Sequence, residues 1–396
     1  MPTIPDVPAF AAVEDSGNMA FLAAQVALSV LKISRSVARL AGDSGDVFKC
    51  CYDNAPVYAP LRDMRPVDTL ARAFAAVGLR AEWVPDATLN HVRGQVEAHA
   101  EIGQPILASG LPGEPPGTFV LLAGYDEDSD TLSYRRASAD PAGGANQPYA
   151  TRSLADEPAW HGPITGAPHW VDFPMLVVRG PLYNPPDELN VRRTALETAL
   201  AVLDGDPIPY PAHPGAAEHA DVPLADRRAR QGLAALALLA DDLSTADLAD
   251  AALRWRIAAF LRQLAWDREL AVHYFEAWDT RPTALMARYR TIAHTARTLL
   301  SRFQERRSVQ ITTLATLRDL VDSTAALLYA LPQSARLQTE VQSAGLGQII
   351  EAPDGLWLAV DSPARRESTV RLAQRLAELE AGCRPLIEDT LAGLRV

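Results

Sequence analysis

The sequence predicts an α+β chain built as two domains. Strand-like runs alternate with helical stretches up to about residue 180, and helical periodicity dominates from about Pro185, with a Pro-rich break over 204–220. A length of 396 residues exceeds the usual extent of one hydrophobic core, so two domains, 1–182 and 183–396, are the natural division. A hydrophobic share of 48% is enough for two cores, and an aromatic share of only 7% with abundant Ala points to close helix packing.

In chain order, Met19, Phe21, Leu22, Val26, Leu28, Val30 and Leu31 predict a largely buried helix over 17–31. A short helix is expected over 44–52, and another over 67–77, stopped by Gly78. Strand signals follow at 79–84, 105–109, 118–125, 131–135 and 173–178. Between Leu132 and Phe173 the chain is rich in Pro, Gly and polar residues and reads as a long surface connection. Pro185-Pro186-Asp187-Glu188 is a helix entry, its acids complementing the dipole of the first turn. Helices are then expected at 187–203, 221–243, 245–278, 282–304 and 306–331. A β-hairpin is expected over 347–360, turning at Pro353-Asp354-Gly355. A last helix over 362–394 is interrupted near Pro385.

Charge narrows the partners. A net charge of −12 disfavours nucleic acid, whose phosphates need a basic face, and anionic lipid for the same reason. No apolar run reaches the roughly 18 residues of a membrane span. The first residues lack a basic and apolar leader pattern, which makes a cytoplasmic location the expectation. Three cysteines do not form a disulfide framework, and no cofactor or metal pattern stands out. Asp126-Glu127-Asp128-Ser129-Asp130 opens like a calcium loop, but Thr131 and Ala137 stand where Gly and the bidentate Glu belong. It reads as a solvated turn.

The run Gly117-Thr118-Phe119-Val120-Leu121-Leu122-Ala123-Gly124-Tyr125-Asp126 resembles the histidine strand of papain-like cysteine peptidases, with Thr118 in the place of the histidine. Other short matches occur in the same order. Glu14-Asp15-Ser16-Gly17-Asn18 precedes the first helix, Gly42-Asp43-Ser44-Gly45-Asp46-Val47-Phe48 follows it, and Gly103-Gln104-Pro105-Ile106-Leu107 opens a strand. Together they resemble the bacterial leader-peptidase type and, more closely, the butirosin-biosynthesis (BtrH-like) acyltransferase branch. The resemblance covers roughly the first 180 residues and implies a papain-like domain, a helix packed on an antiparallel sheet, ahead of an all-helical region.

Under that resemblance Ser16 occupies the nucleophile position, Thr118 the base position, and Asp140 the position that orients the base. Threonine is no general base at neutral pH, so serine there stays unactivated and cysteine-protease activity is not expected. The leading reading is a catalytically degenerate, binding protein. Asp15, Ser16, Asn18, Thr118 and Tyr125 would line its groove. The ligand would be a small molecule, peptide or acyl-carrier protein of a bacterial secondary-metabolite or peptide-processing pathway. The alternative is an acyl or aminoacyl transferase, or an amide-forming enzyme, with Cys50 or Cys51 as a non-standard nucleophile. The plainer reading of those cysteines is core packing. A third reading gives the helical half a role in homo-oligomer formation. His161 and His169, each beside a Trp, bracket a loop that either lines a pocket or caps the domain junction. Arg262, Asp267 and Arg268 are expected to form buried ion pairs at a helix–helix contact or to bind a carboxylate or phosphate.

Overall fold

The computed structural model describes residues 3–8, 10–11, 19–52, 66–84, 89–109, 111, 119–138, 148–154, 175–205, 230–246, 251–303, 308–310, 349–351 and 363–394. By their contacts they form two units. The first holds the described residues up to 47 and from 66 to 195, and the second holds 48–52, 196–205 and those from 230 onward.

The first unit is a sheet with helices on its faces. Its strands are β1 (Phe10–Ala11), β3 (Leu79–Val84), β4 (Ile106–Ser109), β5 (Phe119–Asp126), β6 (Thr131–Ser138), β7 (Ala150–Ser153) and β8 (Met175–Pro181), with β2 (Cys51–Tyr52) belonging to the second unit. Their order is β1-β6-β5-β4-β8-β3, with β7 also on β6. All pairings are antiparallel except that of β1 with β6. β5 is buried from Phe119 to Tyr125 on both sides, which is why its sequence is apolar throughout instead of alternating.

Helix α1 (Met19–Val30) packs on β4 and β5 with Phe21, Ala24 and Leu28 buried. It ends in a Schellman motif. Lys32 N donates to Ser29 O and Ile33 N to Leu28 O, with Lys32 at φ +63° in the left-handed position glycine usually takes. α2 (Val37–Asp43) is capped by the Ser36 hydroxyl, which accepts from Arg39 N at 3.2 Å. α3 (Pro66–Ala76) lies on β3. α4 (Leu89–Glu101) sets Val92 and Val96 against Ile106, Ala108, Val120, Leu122, Met175 and Val177. The chain start is tied down as well: Ile4 N donates to Ala123 O at 2.8 Å, and the buried Arg135 guanidinium donates to Val7 O at 2.9 Å.

The second unit is helical. α5 (Glu188–Asp204) begins in the first unit, with Asp187 accepting from Asn190 N at 2.8 Å as its cap, and the division passes after residue 195. α6 (Gly232–Thr245), α7 (Ala251–Glu276), α8 (Thr283–Ser301), α9 (Pro363–Ala381) and α10 (Arg384–Gly393) follow. α7 packs along α8, and α9 packs on α6 and α8. The interruption expected near Pro385 falls at Gly382-Cys383, and Pro385 sits in the first turn of α10, where its missing N–H costs nothing. Among the described residues, no helix is long and apolar enough to cross a membrane.

Three local expectations are corrected. Residues 44–52 are not a helix: after Gly45 at φ +81° comes a single 3-10 turn, Asp46–Phe48, and then β2, antiparallel to β9 (Arg230–Gln231). Phe48, Cys50 and Tyr52 are buried while Lys49 and Cys51 are half-buried, a period of two that belongs to a strand. The helix expected over 306–331 contains β10 (Ser308–Gln310) instead, and the residues after it lie outside the described set. Within the expected hairpin 347–360, β11 (Ile349–Glu351) pairs with β10 from before it in the chain. The Pro353-Asp354-Gly355 turn lies outside the described residues.

Candidate functional site

Of the residues expected to line the groove, Asp15, Ser16, Asn18 and Thr118 lie outside the described residues, as do Asp140, His161 and His169. The elements that flank them are on hand. α1 starts at Met19, three residues after Ser16, and β5 starts at Phe119, next to Thr118. These two elements pack together inside the sheet unit.

Tyr125 is placed at the far end of β5, its ring in the core beneath α4. Its hydroxyl donates to Asp130 Oδ1 at 2.8 Å. Arg93 of α4 grips the same carboxylate with two bonds, Nε to Oδ1 at 2.8 Å and Nη2 to Oδ2 at 2.6 Å. Burial and then the Asp130 hydrogen bond push the Tyr125 phenol up. The Arg93 hydrogen bond holds the Asp130 carboxyl below its ordinary range, against some desolvation. Asp130 sits at φ +48°, closing the β5–β6 turn. The acidic stretch 126–130 therefore forms a hairpin braced on a helix. Among the described residues, no group of three or more His, Cys, Asp or Glu side chains is placed to hold a metal ion.

The alternative nucleophiles sit in the helical unit beside a buried ion pair. Arg268 of α7 donates to Glu380 Oε1 of α9 at 2.5 Å, and the side chains are 1% and 2% exposed. Its Nη1 donates to Lys49 O and its Nη2 to Phe48 O, both at 3.3 Å, and its guanidinium lies 5.5 Å from the centre of the Tyr289 ring. Phe48 completes the surroundings with ring centres 6.0 Å from Phe275 and 6.1 Å from Tyr289. The chain before β2 is thus a strap whose carbonyls satisfy the arginine and whose ring fills an aromatic core. Sequence reading anticipated a buried ion pair for Arg268. Its partner, 112 residues away, carried no signal in the local pattern.

Cys50 and Cys51 line a cavity of about 20 Å³ with Lys49, Phe260, Gln263, Leu264 and Asp267. That is room for about one water. The thiol of Cys50 is fully buried, 3.7 Å from Gly232 O. Burial pushes its pKa well up, and the Glu380 carboxylate adds to this. Cys383 is pushed up by the same two causes. At Arg268 burial opposes the charge, but Glu380, Tyr289 and Cys50 together more than offset it and the pKa is raised. Tyr289 is driven up mainly by burial. Cys51 is half-buried, with its thiol 3.6 Å from Gln231 Oε1. The described residues lining the cavity include no histidine. The Cys50 thiol stays protonated and packs as a small hydrophobe, since the Arg268 cation near it is held by the Glu380 carboxylate.

No protein-family model matches this chain, and no curated protein matches it either.

Proposed function

We propose that this chain is a catalytically degenerate papain-like protein. It binds a small molecule, peptide or acyl-carrier partner in a groove between the start of α1 and the start of β5. Asp15, Ser16, Asn18 and Thr118 line the groove and offer hydrogen bonds without attacking the ligand. The observation that carries this reading is the packing of α1 on β5, which brings together the two elements that lead away from Ser16 and Thr118. A papain-like site needs a thiolate at the head of the helix and an imidazole on the strand. Serine and threonine at those places keep hydrogen-bonding capacity and lose the reactive pair. A bacterial natural-product or peptide-processing pathway is the setting the resemblance implies. The transferase alternative through Cys50 is weakened, because burial and Glu380 hold that thiol protonated.

Rebuilding the lost pair tests the scaffold. Ser16→Cys alone should be alkylated by iodoacetamide with the pH profile of an ordinary thiol. Adding Thr118→His should create a thiolate–imidazolium pair that reacts well below neutral pH, read peptide by peptide by mass spectrometry. An unchanged pH profile in the double variant overturns the proposed groove. Native mass spectrometry of the purified protein tests occupancy. A co-purified species that is lost in Thr118→Trp supports binding there, and a species retained in that variant counts against it.

A further inference from the structure

His99 closes α4, on the face that carries Val92 and Val96 to the sheet. The residue is 7% exposed, and its Nδ1 is buried with no hydrogen-bond partner. Around it the last turn is held by Gln104 N donating to His99 O at 2.9 Å and Gly103 N donating to Ala100 O at 3.1 Å. Gly103 at φ +71° turns the chain into β4.

The neutral ring tolerates this place with the proton on Nε2. The imidazolium does not, because its second N–H, on the buried Nδ1, would be left without an acceptor. The charge acting on the ring is Arg179 of β8, of the same sign. Arg179 is itself drawn to Glu82 of β3 at 3.2 Å and to Gln95 of α4 at 3.3 Å. On the other strands beneath α4, β4 presents Ile106 and Ala108, β6 presents Tyr134, and Asp130 is engaged by both Tyr125 and Arg93, the latter six residues before His99. Glu97 and Glu101 of α4 point to solvent. A helix C-terminus favours a cation, but burial and Arg179 outweigh it, and the pKa is lowered by desolvation first and Arg179 second.

We propose that His99 makes the last turn of α4 an acid-released latch on the sheet. The sign follows from the lowered affinity for a proton. The latch is fully closed above the ordinary histidine range, about 6.5. It weakens as pH falls below that value, because the opened turn takes the proton more readily than the closed one.

Hydrogen–deuterium exchange of residues 95–104 in the intact protein, corrected for intrinsic rates, tests it between about pH 7.5 and about pH 5.5. The wild type should exchange several-fold faster at the acid end. His99→Phe, which fills the space without titrating, should show no such rise. Arg179→Gln, at an exposed position, should keep the fold and show a smaller rise. Equal exchange at both pH values in the wild type, or an equal rise in either variant, overturns the latch.

Discussion

Two arginine–carboxylate pairs show how differently the two units are held. In the sheet unit Arg93–Asp130 is a bidentate pair at the rim, with side chains 28% and 25% exposed, and it braces a turn whose core is already apolar. In the helical unit Arg268–Glu380 lies at the centre, among Phe48, Phe275 and Tyr289, with both charges out of water. The rim pair adds to a fold that stands on apolar contacts. In the central pair each charge depends on the other, because either one left alone would be buried and uncompensated. It also recruits carbonyls from residues 48 and 49, so a strap from the first part of the chain becomes part of the helical core.

The contrast predicts a graded set of losses. The largest is expected at Gly232, where β9 meets α6 at φ +60° and an added Cβ would lie 1.8 Å from Val202 O. Gly232→Ala should cost more than about 4 kcal/mol, seen as loss of cooperative unfolding by circular dichroism. Next, Glu380→Ala should lower stability by about 3–5 kcal/mol in urea unfolding. The pair of changes Arg268→Met with Glu380→Leu should cost much less than Glu380→Ala alone. If the single and double variants lose equally, the central pair is not what distinguishes this unit.

Third, Phe48→Ala should cost about 3 kcal/mol through the aromatic cavity it leaves. For the same reason a fragment starting at residue 183 should fail to fold unless a peptide containing residues 44–52 is supplied, as judged by its amide proton spectrum. The smallest loss is expected at the rim. Arg93→Ala should cost about 1 kcal/mol. Asp130 is held below the ordinary carboxylate range, so its contribution is present above about pH 4 and is lost as pH falls through its depressed value. Arg93→Ala should flatten that acid-side decline, and a decline that persists unchanged would separate Asp130 from its arginine.

Legibility in the sequence followed the range of the forces. α1, α3, α5, α7 and α8 and strands β3, β4, β5, β6 and β8 were readable, because apolar periodicity and stop signals such as Gly78 are local. The end of α1 was not, since Lys32 gives no warning that it will take a left-handed conformation. α4 was overlooked because its buried residues, Val92, Val96 and His99, are sparse among polar neighbours. The stretch 44–52 was misread because its alternation spans only Phe48, Cys50 and Tyr52 and its partner strand is 180 residues away. At the candidate site, the sequence marked Cys50 as a thiol to consider, but not the Glu380 carboxylate that raises its pKa.

By itself the amino-acid order determined a sheet-bearing first part, a helical remainder, an acidic surface and the helix break beside Pro385. Periodicity, composition and turn chemistry act over a few residues, and those are what a linear string records. The tertiary structure alone decided that residues 48–52 serve the helical unit, that Arg268 answers to Glu380, and that His99 is sealed against the sheet. Those outcomes depend on burial, and burial is set by which distant segments arrive to exclude water.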